Sequence, residues 1–148
     1  MEEICPQCGA RTSGVPDACR RRFEELLALD HSRREPWGSR HGLVFAAYAL
    51  QHPAEFSREV LERSWLALFR VYVRGDDPAR VFAALRSRPP GAAAEWDVPA
   101  LPAAPAPPGY SRQTIADLAP TDVEGYAGRV DRWCRSALRT WGAAVPEA

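Results

Sequence analysis

The chain has 148 residues and balances 19 arginines against 19 acidic side chains, with no lysine, so it carries no net charge at neutral pH. That balance excludes a broad basic surface for nucleic acid. Even the runs Arg20-Arg21-Arg22 and Arg33-Arg34 lie in a first stretch, residues 1–40, with seven arginines against seven acids, and they read as solvated helix faces.

The exclusive use of arginine reads as a GC-rich coding bias of the kind found in some bacteria. The length suits one hydrophobic core, and a single domain spanning 1–148 is expected. The longest apolar run, Leu43 to Leu50, is far shorter than the ~20 residues that cross a bilayer. The N-terminus, with Glu2, Glu3 and a cysteine at position 5, does not resemble a secretory leader. A cytoplasmic, non-membrane protein is expected, and in that reducing setting clustered cysteines point to metal rather than to disulfides.

The chain opens on Cys5-Pro6-Gln7-Cys8-Gly9. Two thiols two residues apart can grip one ion, and Gly9 lets the backbone turn so that N–H groups face the sulfurs. With Cys19 close behind, three thiolates are available within a metal-binding loop over 1–19. A thioredoxin-like redox pair would need a preceding core strand and a βαβ pattern, and neither is present.

From Asp17 the pattern turns helical. Cys19, Phe23, Leu26 and Leu27 share one face, which predicts a helix over about 18–31 with Asp17 as N-cap. Pro36 and Gly38 mark a returning loop, after which Ser39 is expected to cap a second, nearly all-apolar helix from His41 to about His52. A third helix spans roughly 57–74, with Val60, Leu61, Trp65, Leu68, Phe69 and Tyr72 on its buried face and Gly75 as its stop. Asp77-Pro78 then opens a fourth helix over about 78–87.

Seven prolines between Pro89 and Pro108 exclude helix interior or central strand there. Trp96, Val98 and Leu101 within that stretch favour a belt laid across the bundle (89–109) over a free linker. Beyond it, 113–118 forms a short helical turn. Thr121-x-x-Glu124 fits a capping box opening a last helix that presents Val123, Tyr126, Val130, Trp133, Ala137 and Trp141. No β-strand is expected. The fold class is all-α: a bundle of about five helices, with a helical core over 18–88 and a C-terminal segment, 110–148, docked on it.

Tetrahedral zinc wants a fourth ligand or an open position. Along a helix, Cys19 and His31 stand about 18 Å apart and His41 and His52 about 16 Å apart, at 1.5 Å per residue. One ion therefore reaches only one end of each helix. A short loop makes the first two helices antiparallel neighbours, which sets Cys19 level with His52. The predicted site is thus Zn2+ held by Cys5, Cys8, Cys19 and His52. The same geometry gathers Asp30, His31 and His41 at the other pole, a second polar cluster suited to catalysis or to a second metal. Tyr48 is expected to be a buried, hydrogen-bonded tyrosine and Cys134 a packed thiol.

Cys5-Pro6-x-Cys8-Gly9, Cys19, Phe23 and Leu26-Leu27-Ala28-Leu29-Asp30, then His41 through Tyr48 to Leu50-Gln51-His52-Pro53, resemble a small bacterial family of unknown function. Thr114-Ile115-Ala116-Asp117-Leu118 and Tyr126-x-x-Arg129-Val130-x-x-Trp133 are similar to the same family's ending. The resemblance implies one domain and assigns no activity. This chain departs from that pattern at Gly42, where a bulky residue is common, and in carrying Cys134.

Three functions compete at this level. The first is a structural-zinc helical domain that interacts with a protein or small molecule. The second is a zinc enzyme with an open metal position and Asp30, His31 or His41 as acid or base. The third is redox sensing by a zinc-bound thiolate. The first is favoured, because no glutamate sits beside a histidine as in hydrolase motifs and no phosphate loop or nucleophile elbow appears.

Overall fold

The computed structural model describes residues 3–15, 17–87, 96–107 and 112–146. Among these are five α-helices: α1 (Ala18–His31), α2 (His41–Gln51), α3 (Arg58–Tyr72), α4 (Pro78–Arg86) and α5 (Tyr126–Thr140). The expected helical bundle is present. A small antiparallel hairpin, β1 (Glu3–Ile4) and β2 (Arg11–Thr12), precedes it, contrary to the expectation of no strand. Strands of two residues carry no alternation to read. They form because Gly9, at φ 83°, turns the Cys-Pro-x-Cys loop back until the Cys5 N–H donates to the Ala10 carbonyl at 2.8 Å.

Helix α2 is the centre. Every residue from Leu43 to Gln51 except Phe45 is buried, and α1, α3 and α5 pack around it. A helix apolar on nearly all sides can be stable only when surrounded in this way. Its buried polar groups are paired across the bundle: the Trp133 indole donates to Gln51 Oε1 (2.9 Å), Gln51 Nε2 to the Gln113 carbonyl (2.8 Å), and the Trp141 indole to the Leu50 carbonyl (2.7 Å). Two indoles and one amide thereby fix the depth at which α5 sits on α2.

The helix signals worked unequally. Ser57 caps α3 through its side chain (3.2 Å from the Val60 N–H), and Asp77 caps α4 (3.1 Å from the Arg80 N–H) with Pro78 in the first turn. Asp17 stands at the start of α1 in a left-handed conformation (φ 59°) and accepts no capping bond. Ser39 does not cap α2; it lies in a 3-10 turn, Gly38–Arg40, and its hydroxyl donates to Glu35 Oε2 at 2.7 Å.

Thr121 and Glu124 form no capping box either. The box occurs earlier, where Thr114 and Asp117 bracket the 3-10 turn Ile115–Asp117, and α5 begins only at Tyr126, which leaves Val123 half exposed outside it. The reason is Arg129, whose guanidinium donates to the carbonyls of Leu118, Ala119, Asp122 and Glu124 and holds that stretch as a turn.

Residues 96–107 run as a belt beside α3. Prolines leave carbonyls without ladder partners, and α3 supplies donors: Trp65 to Pro99 (2.8 Å), Arg58 to Leu101 (2.7 Å) and Pro102 (2.8 Å), and Arg70 to Trp96 (2.8 Å). Leu101 is buried beneath. The remainder of the expected belt, 89–95 and 108–109, lies outside the described residues. Among the described residues, no helix is long and apolar enough to cross a membrane.

Candidate metal centre

The loop between β1 and β2 carries Cys5 and Cys8, the first turn of α1 carries Cys19, and His52 follows the last residue of α2. Because α2 folds back along α1, these four meet at one pole. The three Sγ atoms and one imidazole nitrogen all lie within 4.8 Å of one another. Bonds of about 2.3 Å at the tetrahedral angle require sulfurs about 3.8 Å apart. Cys8 Sγ and Cys19 Sγ are 3.7 Å apart.

The surroundings shape this set as a metal site would require. Cys8, Cys19 and His52 are buried and Cys5 partly so. The Ala10 N–H points at Cys8 Sγ (3.4 Å), a donor that favours a thiolate. His52 Nδ1 lies 3.0 Å from the Tyr48 carbonyl, which can only accept, so Nδ1 carries the hydrogen and Nε2 keeps its lone pair. Nε2 is buried and has no hydrogen-bond partner. An acceptor nitrogen buried among sulfurs without a donor is costly, and a cation is the group that would satisfy it.

Packing locks the ring further. Phe23, Tyr48 and His52 stack in series, Phe23 on Tyr48 at 4.0 Å and Tyr48 on His52 at 4.1 Å between ring centroids. The Tyr48 hydroxyl donates to Glu55 (2.8 and 3.0 Å), which also meets Arg20 at 3.3 Å. Gln7 Oε1 accepts the Ala54 N–H at 2.9 Å and so ties the cysteine loop to the turn after His52. Gln7 and Glu55 escaped the sequence reading. Gln7 fills the unspecified position of Cys-Pro-x-Cys, and Glu55 stands out only through its spacing from Tyr48.

As free thiols the three sulfurs cannot share protons evenly. Bonds from Cys19 and then Cys8 hold the Cys5 thiol well below its ordinary range. Cys8 is pushed up by Cys19, by Cys5 and by burial, and Cys19 is raised to about 11, chiefly by Cys5. A divalent ion would displace the thiol protons.

Asp30, His31 and His41 gather at the other pole. His41 Nδ1 lies 3.2 Å from Asp30 Oδ2, and the His31 and His41 rings are 5.3 Å apart. The Asp30 side chain is fully buried, burial raises its carboxyl above the ordinary range against the pull of His41, and Oδ1 has no partner. Cys134 is a packed thiol on α5, directed at the Leu43 carbonyl (3.6 Å) and pushed up to about 12 by burial.

No curated protein and no solved structure matches the chain. The hairpin, the thiol–imidazole cluster and the helices through α5 fall together inside one family match over residues 3–142, and the chain belongs to the family of unknown function DUF5946.

Proposed function

We propose that Cys5, Cys8, Cys19 and His52 hold one Zn2+ in a closed structural shell, and that the helical domain so fastened serves in interaction with a protein or small molecule. The observation that carries this reading is His52 Nε2, buried without a partner beside three sulfurs, its ring turned by the Nδ1 bond to Tyr48. Four protein donors fill a tetrahedron, which favours a structural role over an open catalytic position. The ion would link the hairpin loop, the start of α1 and the end of α2.

Elemental analysis of untagged protein from a reducing cytoplasm tests it. About one zinc per chain is expected; absence of any transition metal, with all thiols titrating free, overturns the proposal. Partial exposure of Cys5 favours thiolate redox sensing as the second reading. Release of zinc by peroxide at the rate of Cys5 modification supports it, and zinc retained through Cys5 modification removes it.

A further inference from the structure

The second pole holds more than an Asp–His pair. His41 stands on the wall of a cleft of about 720 Å³ between the start of α2, the side of α3 and α4. That volume is in the range of small-molecule sites. The floor is apolar, built from Phe45 and Ala46 of α2, Val60 of α3 and Phe82 and Leu85 of α4. Gly42 lets the Phe82 ring of α4 pack directly on α2 at the edge of this space: a Cβ at that position would lie 2.9 Å from the ring.

The charged groups are all of one sign, and the remaining polar side chains are Ser39, His41 and Ser64. Among the described residues, the charged lining side chains are Arg63 and Arg86, and no aspartate or glutamate lines the cleft. Arg63 spends one donor on the Leu85 carbonyl (2.7 Å) and keeps the others. His41 is held through Nδ1 by the buried Asp30, and its Nε2 has no partner among the described residues. The first turn of α2 and the length of α4 from Pro78 to Arg86 border the same space.

We infer that this cleft binds a small organic anion with an apolar body, a monocarboxylate of fatty-acid or aryl-acid type. Its carboxylate meets Arg63, Arg86 and His41 Nε2, and its hydrocarbon part lies on the Phe45, Val60 and Phe82 floor. Asp30 acts as a positioning residue for His41: buried and bonded to Nδ1, it fixes the ring so that Nε2 is the atom offered to ligand. The inference is independent of the metal reading, since His41 is about 16 Å from His52 along α2.

The experiment is calorimetry on the metal-loaded full chain with three probes of one chain length: octanoate, 1-octanol and octylammonium. Octanoate is expected to bind with one site per chain, and the neutral and cationic analogues at least about tenfold more weakly. The double variant Arg63→Gln/Arg86→Gln loses about tenfold or more for octanoate and nothing for octanol. Ala79→Trp, at the exposed rim, fills the cleft without touching the core and abolishes octanoate binding, with circular dichroism and metal content unchanged. Asp30→Asn weakens octanoate more than octanol, which a merely structural role for Asp30 would not produce. Equal binding of the three probes, or undiminished octanoate binding by Ala79→Trp, overturns the inference. Metal content measured in the same samples separates this failure from a failure of the zinc reading.

Discussion

Replacing Cys8 by serine removes a fully buried sulfur 3.7 Å from Cys19 Sγ and substitutes a hydroxyl that binds zinc poorly. An ion that binds only the folded chain stabilises it by RT ln(1 + [L]/Kd), about 4 kcal/mol when free metal exceeds Kd a thousandfold. In a chain of this size each kcal/mol moves the melting midpoint by about 2–4 °C, so Cys8→Ser lowers it by roughly 8–16 °C. The variant still folds, because the buried faces of α2, α3 and α5 and the indole bonds to α2 do not pass through the metal. Cys134→Ser is the control. Cys134 is equally buried, yet its thiol lies against the Leu43 carbonyl and the Tyr72 side chain and binds no ion, and serine keeps a donor for the Leu43 carbonyl; the cost is about 1 kcal/mol. Thermal melts with and without a chelator decide the matter. Chelator should bring wild type down to Cys8→Ser and leave that variant unmoved. Equal shifts for the two serine variants, or a wild type indifferent to chelator, would refute the coupling of this pole to metal.

Tyr48→Phe keeps the stack on His52 but loses the one hydrogen bond its hydroxyl shares between the two Glu55 oxygens; it should retain its metal, by elemental analysis, while losing about 1.5–3 kcal/mol in a denaturant titration. Gly42→Ala drives a methyl to within 2.9 Å of the Phe82 ring and should cost about 1–3 kcal/mol by overpacking, read in the same titration. Asp30 has a raised carboxyl pKa through burial, so its contribution to stability is complete below its unfolded value and is lost as pH rises through its folded one. The stability difference between Asp30→Asn and wild type should therefore move in favour of the variant as pH climbs above about 4, and a constant difference across that range would contradict the buried charge.

What the sequence disclosed follows from which forces are periodic. Buried faces of α1 to α5 recur at helical spacing, and Ser57 and Asp77 mark starts that depend only on a side chain and a backbone N–H within three residues. The meeting of Cys19 with His52 was legible because helix length and a short loop convert sequence separation into position. Three features were not. The β1–β2 hairpin is too short to alternate. The start of α5 depends on Arg129 gathering carbonyls up to eleven residues away, which defeats the local Thr121–Glu124 signal. The cleft beside His41 depends on the distance between α2 and α4, set by Gly42 against Phe82, and no pairwise spacing encodes it.

The central claim is a closed shell of three sulfurs and one imidazole nitrogen, and X-ray absorption at the zinc edge tests it most directly. Wild type should give three sulfurs at about 2.3 Å and one nitrogen at about 2.0 Å, with His52→Ala exchanging the nitrogen for a water oxygen and His41→Ala leaving the spectrum unchanged. A wild-type spectrum with fewer than three sulfurs, or one altered by His41→Ala and indifferent to His52→Ala, would contradict the account.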